Sequence, residues 1–482
     1  MDESAPVPAE RGVDPRTTLR ELYDRQRAAF LAAPFPDVRE RRRKLRALSA
    51  ALTARQGRIA DAVSADFGNR ARPETLLAEV LGVRQASAHA ARHLRDWMRP
   101  ERRSVTWIYG PGANRVEYAP LGVVGVVAPW NYPVLLTLGP LVDVLAAGNR
   151  CLIKPSELTP HTSSALAELI TDAFGPEEVS VAEGDERVAR AFCELPFDHL
   201  LFTGSTRVGR EVMRAAAEHL VPITLELGGK SPVIVGSDYP VVAAGRSTAV
   251  GKFFNAGQTC TAPDYALVTG SRAQDFANAV MCEALAMYPA LGANPDYTTI
   301  VSDHHYERLE ALVAEAERGG ARVLRHPERP PRALRCFPPT VVLEPALESP
   351  LMREEVFGPI LPVLSVAAID DAIAFVNARA RPLALYVFTH DSACERRILE
   401  RTRSGGVMRN GTMVQVAQTD LPFGGVGASG MGAYHGRDGF LEFSHRRAVH
   451  TPRLLSGFEL LRAPYGKTMR MALRALVGYR PG

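Results

Sequence analysis

Six cysteines, at 151, 193, 260, 282, 336 and 394, are scattered along the chain with no Cys-x-x-Cys spacing. That use argues against a disulfide framework and against a structural zinc site, so each thiol is either a small buried hydrophobe or a nucleophile. Cys260 stands apart from the other five. It follows Gly257-Gln258-Thr259 in a short polar loop, where a thiolate finds room and hydrogen-bond donors. Cys151, in Arg150-Cys151-Leu152-Ile153, has the apolar flanks of an ordinary buried cysteine.

Three further segments carry chemistry on their own terms. Leu225-Glu226-Leu227-Gly228-Gly229-Lys230 sets a carboxylate at an apolar strand end. Burial there would raise its pKa toward that of a general base for water, and an ion pair with Lys230 or an arginine is the equal alternative. Pro129-Trp130-Asn131-Tyr132-Pro133 offers an amide that either donates to an oxygen gaining negative charge or simply forms the turn. Phe202-Thr203-Gly204-Ser205-Thr206-Arg207-Val208-Gly209 runs from an apolar strand into a helix, which suits a pyrophosphate but equally a plain turn, and it is not G-x-G-x-x-G. Only five of the basic residues are lysine (44, 154, 230, 252 and 467) and the rest are arginine; those lysines are retained by chance or because a compact ammonium is needed.

The elements that must position these groups follow from the pattern of the whole chain. Its 482 residues are 46% hydrophobic and 23% charged, with a net charge of +4. Those values exclude a disordered or collagen-like chain and a nucleic-acid partner. No apolar stretch approaches the ~20 residues of a spanning helix, and the acidic start lacks a secretory signal's apolar core, so a soluble, cytoplasmic protein is expected. Residues 1–15 read as a disordered lead, and the basic run Arg39–Arg46 as a solvated helix face. A hairpin of Val105–Tyr109 with Arg115–Tyr118 is expected around Gly110–Asn114. Short apolar runs at Val123–Ala128, Cys151–Lys154, His199–Thr203 and Ile223–Leu227, separated by helical stretches, predict a doubly wound parallel sheet. A second alternating region begins near residue 228: helix Ala243–Asn255, strand Ala266–Thr269, helix Tyr306–Arg318, strands Ala321–Arg325 and Thr340–Leu343, and helix Ile369–Asn377. Gly466–Tyr479 reads as a short basic amphipathic helix.

Taken together, these motifs make the chain resemble the aldehyde dehydrogenase superfamily from about residue 20 to about residue 450. The further matches are Ile153-Lys154-Pro155-Ser156-Glu157 and Glu354-Glu355-Val356-Phe357-Gly358-Pro359. Ala262-Pro263-Asp264-Tyr265, Leu421–Gly427, Tyr434-His435-Gly436 and Phe443-Ser444-His445 resemble the class 3 branch and its bacterial coniferyl-aldehyde group. The resemblance implies an α/β architecture: a doubly wound Rossmann-like cofactor domain over residues 16–102 and 121–228, and an α/β catalytic domain over 229–430. It adds a small β extension for oligomerisation over 103–120 and 431–450, followed by a tail over 451–482. The implied activity is NAD(P)-dependent oxidation of an aldehyde, aromatic such as coniferyl aldehyde or medium- to long-chain aliphatic, with NAD used and NADP tolerated.

The resemblance also implies roles. Cys260 would be the nucleophile, Glu226 the base for hydrolysis, and the Asn131 side chain with the Cys260 backbone N–H the oxyanion hole. The cofactor would be held by Trp130, Lys154, Ser156, Glu157, Gly204, Ser205, Gly209, Leu227, Gly228, Glu355 and Phe357. Among these, Lys154 and Glu157 would meet the adenosine ribose, Gly204 and Ser205 the pyrophosphate, Glu355 the nicotinamide ribose and Phe357 the ring region. No metal is implied. Arg409, Gly411 and Thr261 depart from the family pattern and are expected near the substrate mouth. A homodimer is implied, with the hairpin and a Phe440–Phe443 strand extending a sheet between subunits. The tail helix is expected to dock on the enzyme body in preference to a membrane surface. A coenzyme A-acylating enzyme, a cysteine hydrolase and an inactive structural homologue are the alternatives, and Glu226, the lack of a supporting histidine motif and the intact motif set weigh against them in turn.

Overall fold

The structure, a computed structural model, describes residues 14–109, 111–452 and 462–478, so residues 1–13 of the expected lead fall outside it. Three sheets organise these residues. The smallest is antiparallel, in the order β1-β2-β16, from β1 (Glu101–Arg103), β2 (Gly112–Pro120) and β16 (Ser444–Pro452). A six-stranded sheet is built from β3 (Val123–Val127), β4 (Arg150–Lys154), β5 (Val179–Val181), β6 (His199–Thr203), β7 (Ile223–Glu226) and β15 (Gly430–Met431), in the order β15-β7-β6-β3-β4-β5. A seven-stranded sheet contains β8 (Pro232–Val235), β9 (Tyr265–Thr269), β10 (Arg322–Arg325), β11 (Thr340–Leu343), β12 (Ile360–Val366), β13 (Ala384–Phe388) and β14 (Gly406–Arg409). Its order is β10-β11-β12-β9-β8-β13-β14.

Both larger sheets are parallel except at one edge strand each, β15 and β10. Their central strands are buried at every position, which is why β3, β4 and β6 read as continuous apolar runs instead of alternating ones. In the six-stranded sheet β3 leads to β4 and β5 on one side, whereas β6 and β7 lie on the other. The order therefore reverses between β3 and β6, and their carboxyl ends open a crevice there. The loops after β3, β4, β6 and β7 carry Trp130–Asn131, Lys154–Glu157, Gly204–Ser205 and Glu226–Gly228 to that one end. Cys260 precedes β9 and Glu355 precedes β12, at the opposite, amino ends of the seven-stranded sheet. The site lies where these two strand ends face each other.

Several local expectations are corrected. Val105–Tyr109 does not pair with Arg115–Tyr118. Glu101–Arg103 pairs instead with Asn114–Val116, and Trp107–Tyr109 forms a 3₁₀ turn. Phe440–Phe443 is not a strand: Phe440 sits in the helix Gly436–Glu442, and β16 begins at Ser444. The spacing of Phe440 and Phe443 puts both on one helix face, which is buried against Trp97, Tyr118 and His199. Within the basic run, Arg41 and Lys44 are buried and not solvated: Arg41 donates to the Pro36 and Ala146 carbonyls at 2.9 Å and Lys44 pairs with Glu178 at 3.0 Å. The tail helix, Lys467–Val477, buries none of its described side chains, so the expected docking on the enzyme body is not seen. No helix among the described residues is long and apolar enough to cross a membrane.

Candidate active site

The loop bearing Cys260 is set by three consecutive left-handed residues, Asn255, Ala256 and Gly257, with φ of 51, 50 and 72°. Only glycine fits the third position, because a Cβ there would lie 2.3 Å from the Gly358 carbonyl oxygen. Asn255 tolerates the conformation because its Nδ2 donates to the Asn131 and Gln258 carbonyls, both at 3.1 Å. Gln258 in turn donates to Asn255 O and Thr299 O at 3.1 Å and accepts from Val301 N at 3.0 Å. The thiol thus stands on a turn stitched to two separate segments, the Asn131 loop and Thr299–Val301. Burial pushes the Cys260 thiol well up, and charge on Glu355 and then Glu226 opposes its ionisation further.

Asn131 Nδ2 donates to Gln258 O at 3.2 Å, two residues before the thiol, which leaves one N–H of the amide uncommitted. The loop is held from behind by residues that spacing does not reveal. Arg70 and Glu79 form a fully buried ion pair at 3.1 Å, and Arg70 also donates to Asn131 O at 2.9 Å. Glu79 accepts from Val134 N and Leu135 N at 2.7 and 3.1 Å, capping the helix Leu135–Ala147 that follows the loop. Glu74 accepts from Asn255 N at 3.3 Å and from the Thr298 hydroxyl at 2.8 Å. Glu74 caps the π-helical turn Thr75–Val80 and Glu79 lies within it, and the two reach different partners, a geometry that no period in the sequence announces.

Glu226 ends β7, is 2% exposed, and has no hydrogen-bond partner at either carboxylate oxygen. Burial raises its pKa well above the usual carboxylate range, with charge on Glu442 adding to the effect. The ion pair left open by the sequence is not made here: Lys230 is bound to Asp264 and to the carbonyls of Leu351 and Glu354. Tyr434 is also buried and its hydroxyl has no partner; burial, then charge on Glu226 and Cys260, raises its pKa.

The residues expected to hold a cofactor gather at the crevice. Ser205 caps the helix Thr206–Ala217 by accepting from Val208 N at 3.3 Å, and Gly204 N donates to Glu226 O at 3.0 Å. A Cβ on Gly204 would meet the Phe202 ring at 2.6 Å, on Gly209 the Leu227 side chain at 2.7 Å, and on Gly228 a Glu355 carboxylate oxygen at 2.0 Å. Lys154 is buried at the end of β4; its Nζ donates to Pro155 O at 2.6 Å and lies 3.6 Å from Glu157. Ser156 Oγ accepts from Leu158 N at 3.2 Å. Burial pushes the Glu355 carboxyl up to about 8, and charge on Asp264 contributes next. The Phe357 ring lies 5.3 Å from that of Trp130, which is also 5.0 Å from His305. Side-chain-free glycines at a capped helix start, a buried lysine and the unpartnered buried hydroxyl of Thr203 fit a dinucleotide.

The departures from the family pattern separate. Thr261 is buried beside the nucleophile and donates to Met413 Sδ at 3.3 Å, while Tyr386 donates to its carbonyl. A Cβ on Gly411 would lie 2.3 Å from Met408 Cε. Arg409 turns away from this cluster. In β14 alternate residues face opposite sides, so Met408 packs inward and the exposed Arg409 pairs with Glu395 at 2.9 Å.

Comparison with known proteins gives a consistent result. The model of the aldehyde dehydrogenase family matches residues 16–449. Coniferyl aldehyde dehydrogenase of a Pseudomonas species is 43% identical over 479 residues, covering 98% of each chain. The substrate-bound structure of Staphylococcus aureus AldH superposes with a TM-score of 0.89 at 35% identity, over 95% of this chain and 99% of that one. A Mycobacterium tuberculosis aldehyde dehydrogenase complexed with NAD+ gives a TM-score of 0.82 at 29% identity, over 92% and 91%.

Proposed function

The chain belongs to the aldehyde dehydrogenase family and is an NAD(P)-dependent aldehyde dehydrogenase, and from that premise we propose that Cys260 is its nucleophile, Glu226 its hydrolytic base and Asn131 its oxyanion donor. The observation that carries this reading is the pairing of a loop thiol with a buried carboxyl that has no other partner. Cys260 adds to the aldehyde carbon, and the alkoxide that forms is met by the free N–H of Asn131 and by the Cys260 backbone N–H. Each such donor contributes about 3 kcal/mol in comparable sites. A nicotinamide held by Glu355 and Phe357 would supply the hydride acceptor, and loss of hydride from the thiohemiacetal carbon would leave a thioester on Cys260. Glu226 then takes a proton from water, hydroxide adds to the thioester carbonyl, and the Cys260 thiolate leaves with release of the carboxylic acid. Aldehyde, water and oxidised cofactor become acid, reduced cofactor and a proton.

Residues 16–102 and 121–228, with five of the six strands of the six-stranded sheet, form the cofactor unit, and residues 229–430 form the catalytic unit. Lys154, Ser156 and Glu157 take the adenosine ribose, Gly204, Ser205 and Gly209 the pyrophosphate, and Leu227, Gly228, Glu355, Phe357 and Trp130 the nicotinamide end. Glu157, 3.6 Å from Lys154, favours a free 2′-hydroxyl and repels a 2′-phosphate, so NAD is preferred and NADP tolerated. The substrate is an aromatic aldehyde such as coniferyl aldehyde, a reading supported by the Pseudomonas relative of that name; a medium- or long-chain aliphatic aldehyde is the alternative. The enzyme acts as a homodimer. β16 lies at the edge of its small sheet, and its backbone groups on the side away from β2 have no strand partner among the described residues. Absorbance at 340 nm across aromatic and aliphatic aldehydes, with each cofactor in turn, tests the reading. A larger kcat/KM for coniferyl than for aliphatic aldehydes, and for NAD than for NADP, is expected.

A further inference from the structure

The helices Val38–Phe67 and Leu81–Trp97 lie side by side, and a cleft of about 500 Å³ opens between them. Arg42, Arg46 and Arg92 line it, with Ser49, Ser87 and the buried side chain of Leu45. Arg42 is fixed across the helix pair: its Nε donates to Ala91 O at 2.7 Å, leaving both terminal nitrogens uncommitted. Its neighbours Arg43 and Lys44 are paired with Glu178, but among the described residues no carboxylate pairs with Arg42, Arg46 or Arg92. Ser87 is 2% exposed, and its hydroxyl makes no hydrogen bond, not even to the preceding helical turn. Three arginines, two of them exposed, line the cleft beside one buried and unsatisfied hydroxyl.

Like charges brought together around a concave apolar surface repel one another, and the arrangement is compensated when an anion sits among them. Planar guanidinium forks match the oxygens of a phosphate bidentately, and an uncommitted hydroxyl adds a neutral donor. The volume exceeds what a bare ion needs and falls within the range of small organic ligands. We propose that this cleft binds an organic phosphate monoester, with Arg42, Arg46, Arg92 and Ser87 on the phosphate and Leu45 against the organic part. It shares no residue with the cofactor crevice, so it is a separate site. The phosphate belongs either to a soluble metabolite or to a phospholipid headgroup.

Calorimetric titration of the full chain with phenyl phosphate, at constant ionic strength and with saturating NAD to block the cofactor crevice, tests the proposal. One saturable equivalent is expected. Arg46→Ala and Arg92→Ala should each weaken binding about tenfold, as loss of a charge-assisted hydrogen bond does, and Ser87→Ala should weaken it less. Aldehyde oxidation by these variants should be unchanged, which shows that they fold. No saturable binding, or equal binding by the Arg46→Ala/Arg92→Ala double variant, overturns the proposal. Displacement of phenyl phosphate from the full chain by phosphatidic acid vesicles assigns the phosphate to a lipid. Phenyl phosphate binding that such vesicles leave unchanged assigns it to a soluble ligand.

Discussion

At Cys260 the first matter is the proton. Burial, then the charges of Glu355 and Glu226, raise the pKa of the thiol, and burial, then the charge of Glu442, raises that of Glu226. In the proposed mechanism both groups act in their ionised forms, so each raised pKa moves the working fraction toward alkaline pH, and kcat/KM should climb as pH rises above 7. Cys260→Ala should lower oxidation to under about one percent while leaving NAD binding, read by protein fluorescence, within about twofold; residual turnover above a few percent would displace Cys260 as nucleophile. Glu226→Gln should release about one equivalent of reduced cofactor in a burst and then stall at the thioester, because only deacylation needs its base. Steady turnover with no burst in stopped-flow absorbance would contradict that division of labour.

Elements place these residues, and two buried carboxyl groups control the elements. Glu79 caps the helix after the Asn131 loop and neutralises Arg70. Glu79→Ala strands the guanidinium in the core, which costs about 3–5 kcal/mol of stability in urea unfolding. Because the cap sits directly behind the Asn131 loop, kcat should fall more than KM rises. Asp143, in the middle of that helix, accepts from His435 N at 3.0 Å, and burial raises its carboxyl from 3.8 to about 8. Its folded pKa lies above the unfolded one. The neutral acid therefore contributes stability that is complete below pH 4 and lost as pH rises toward 8. Asp143→Asn should flatten that part of the stability curve, measured as Tm between pH 4 and 8; an unchanged slope would show that Asp143 does not hold its proton.

On the scale of the whole molecule, assembly and the tail remain to be tested. The exposed edge of β16, together with Trp107 at 76% exposure on the turn before β2, presents a surface that a second copy would cover. Light scattering at micromolar concentration should give twice the 52.4 kDa chain mass, and a monomer would refute the dimer. The tail helix leaves Met471, Leu476 and Val477 uncovered beside Lys467, Arg470 and Arg474, the composition of a helix that lies on an anionic membrane surface. The intact chain should therefore float with anionic vesicles and a chain lacking residues 464–482 should not; flotation of neither would leave the helix without a membrane role.

The sequence by itself determined the candidate residues and the alternation of strands and helices around them. Cys260, Glu226, Asn131 and the Gly204–Ser205 turn were legible because local chain chemistry marks them: a polar glycine loop, a carboxylate in an apolar strand, an amide between prolines. Tertiary structure decided the rest, because the deciding contacts join segments far apart in the chain. Spacing left open whether Glu226 pairs with Lys230, and Asp264, brought in from the next strand, takes the lysine instead. Arg70, Glu74 and Glu79 carry no local signal, since a buried charge is defined by what surrounds it. Phe440 and Phe443 suit a strand or a helix by composition alone, and the apolar face of Trp97, Tyr118 and His199 selects the helix. Burial is a property of the assembled fold, and it turned a set of legible residues into a site.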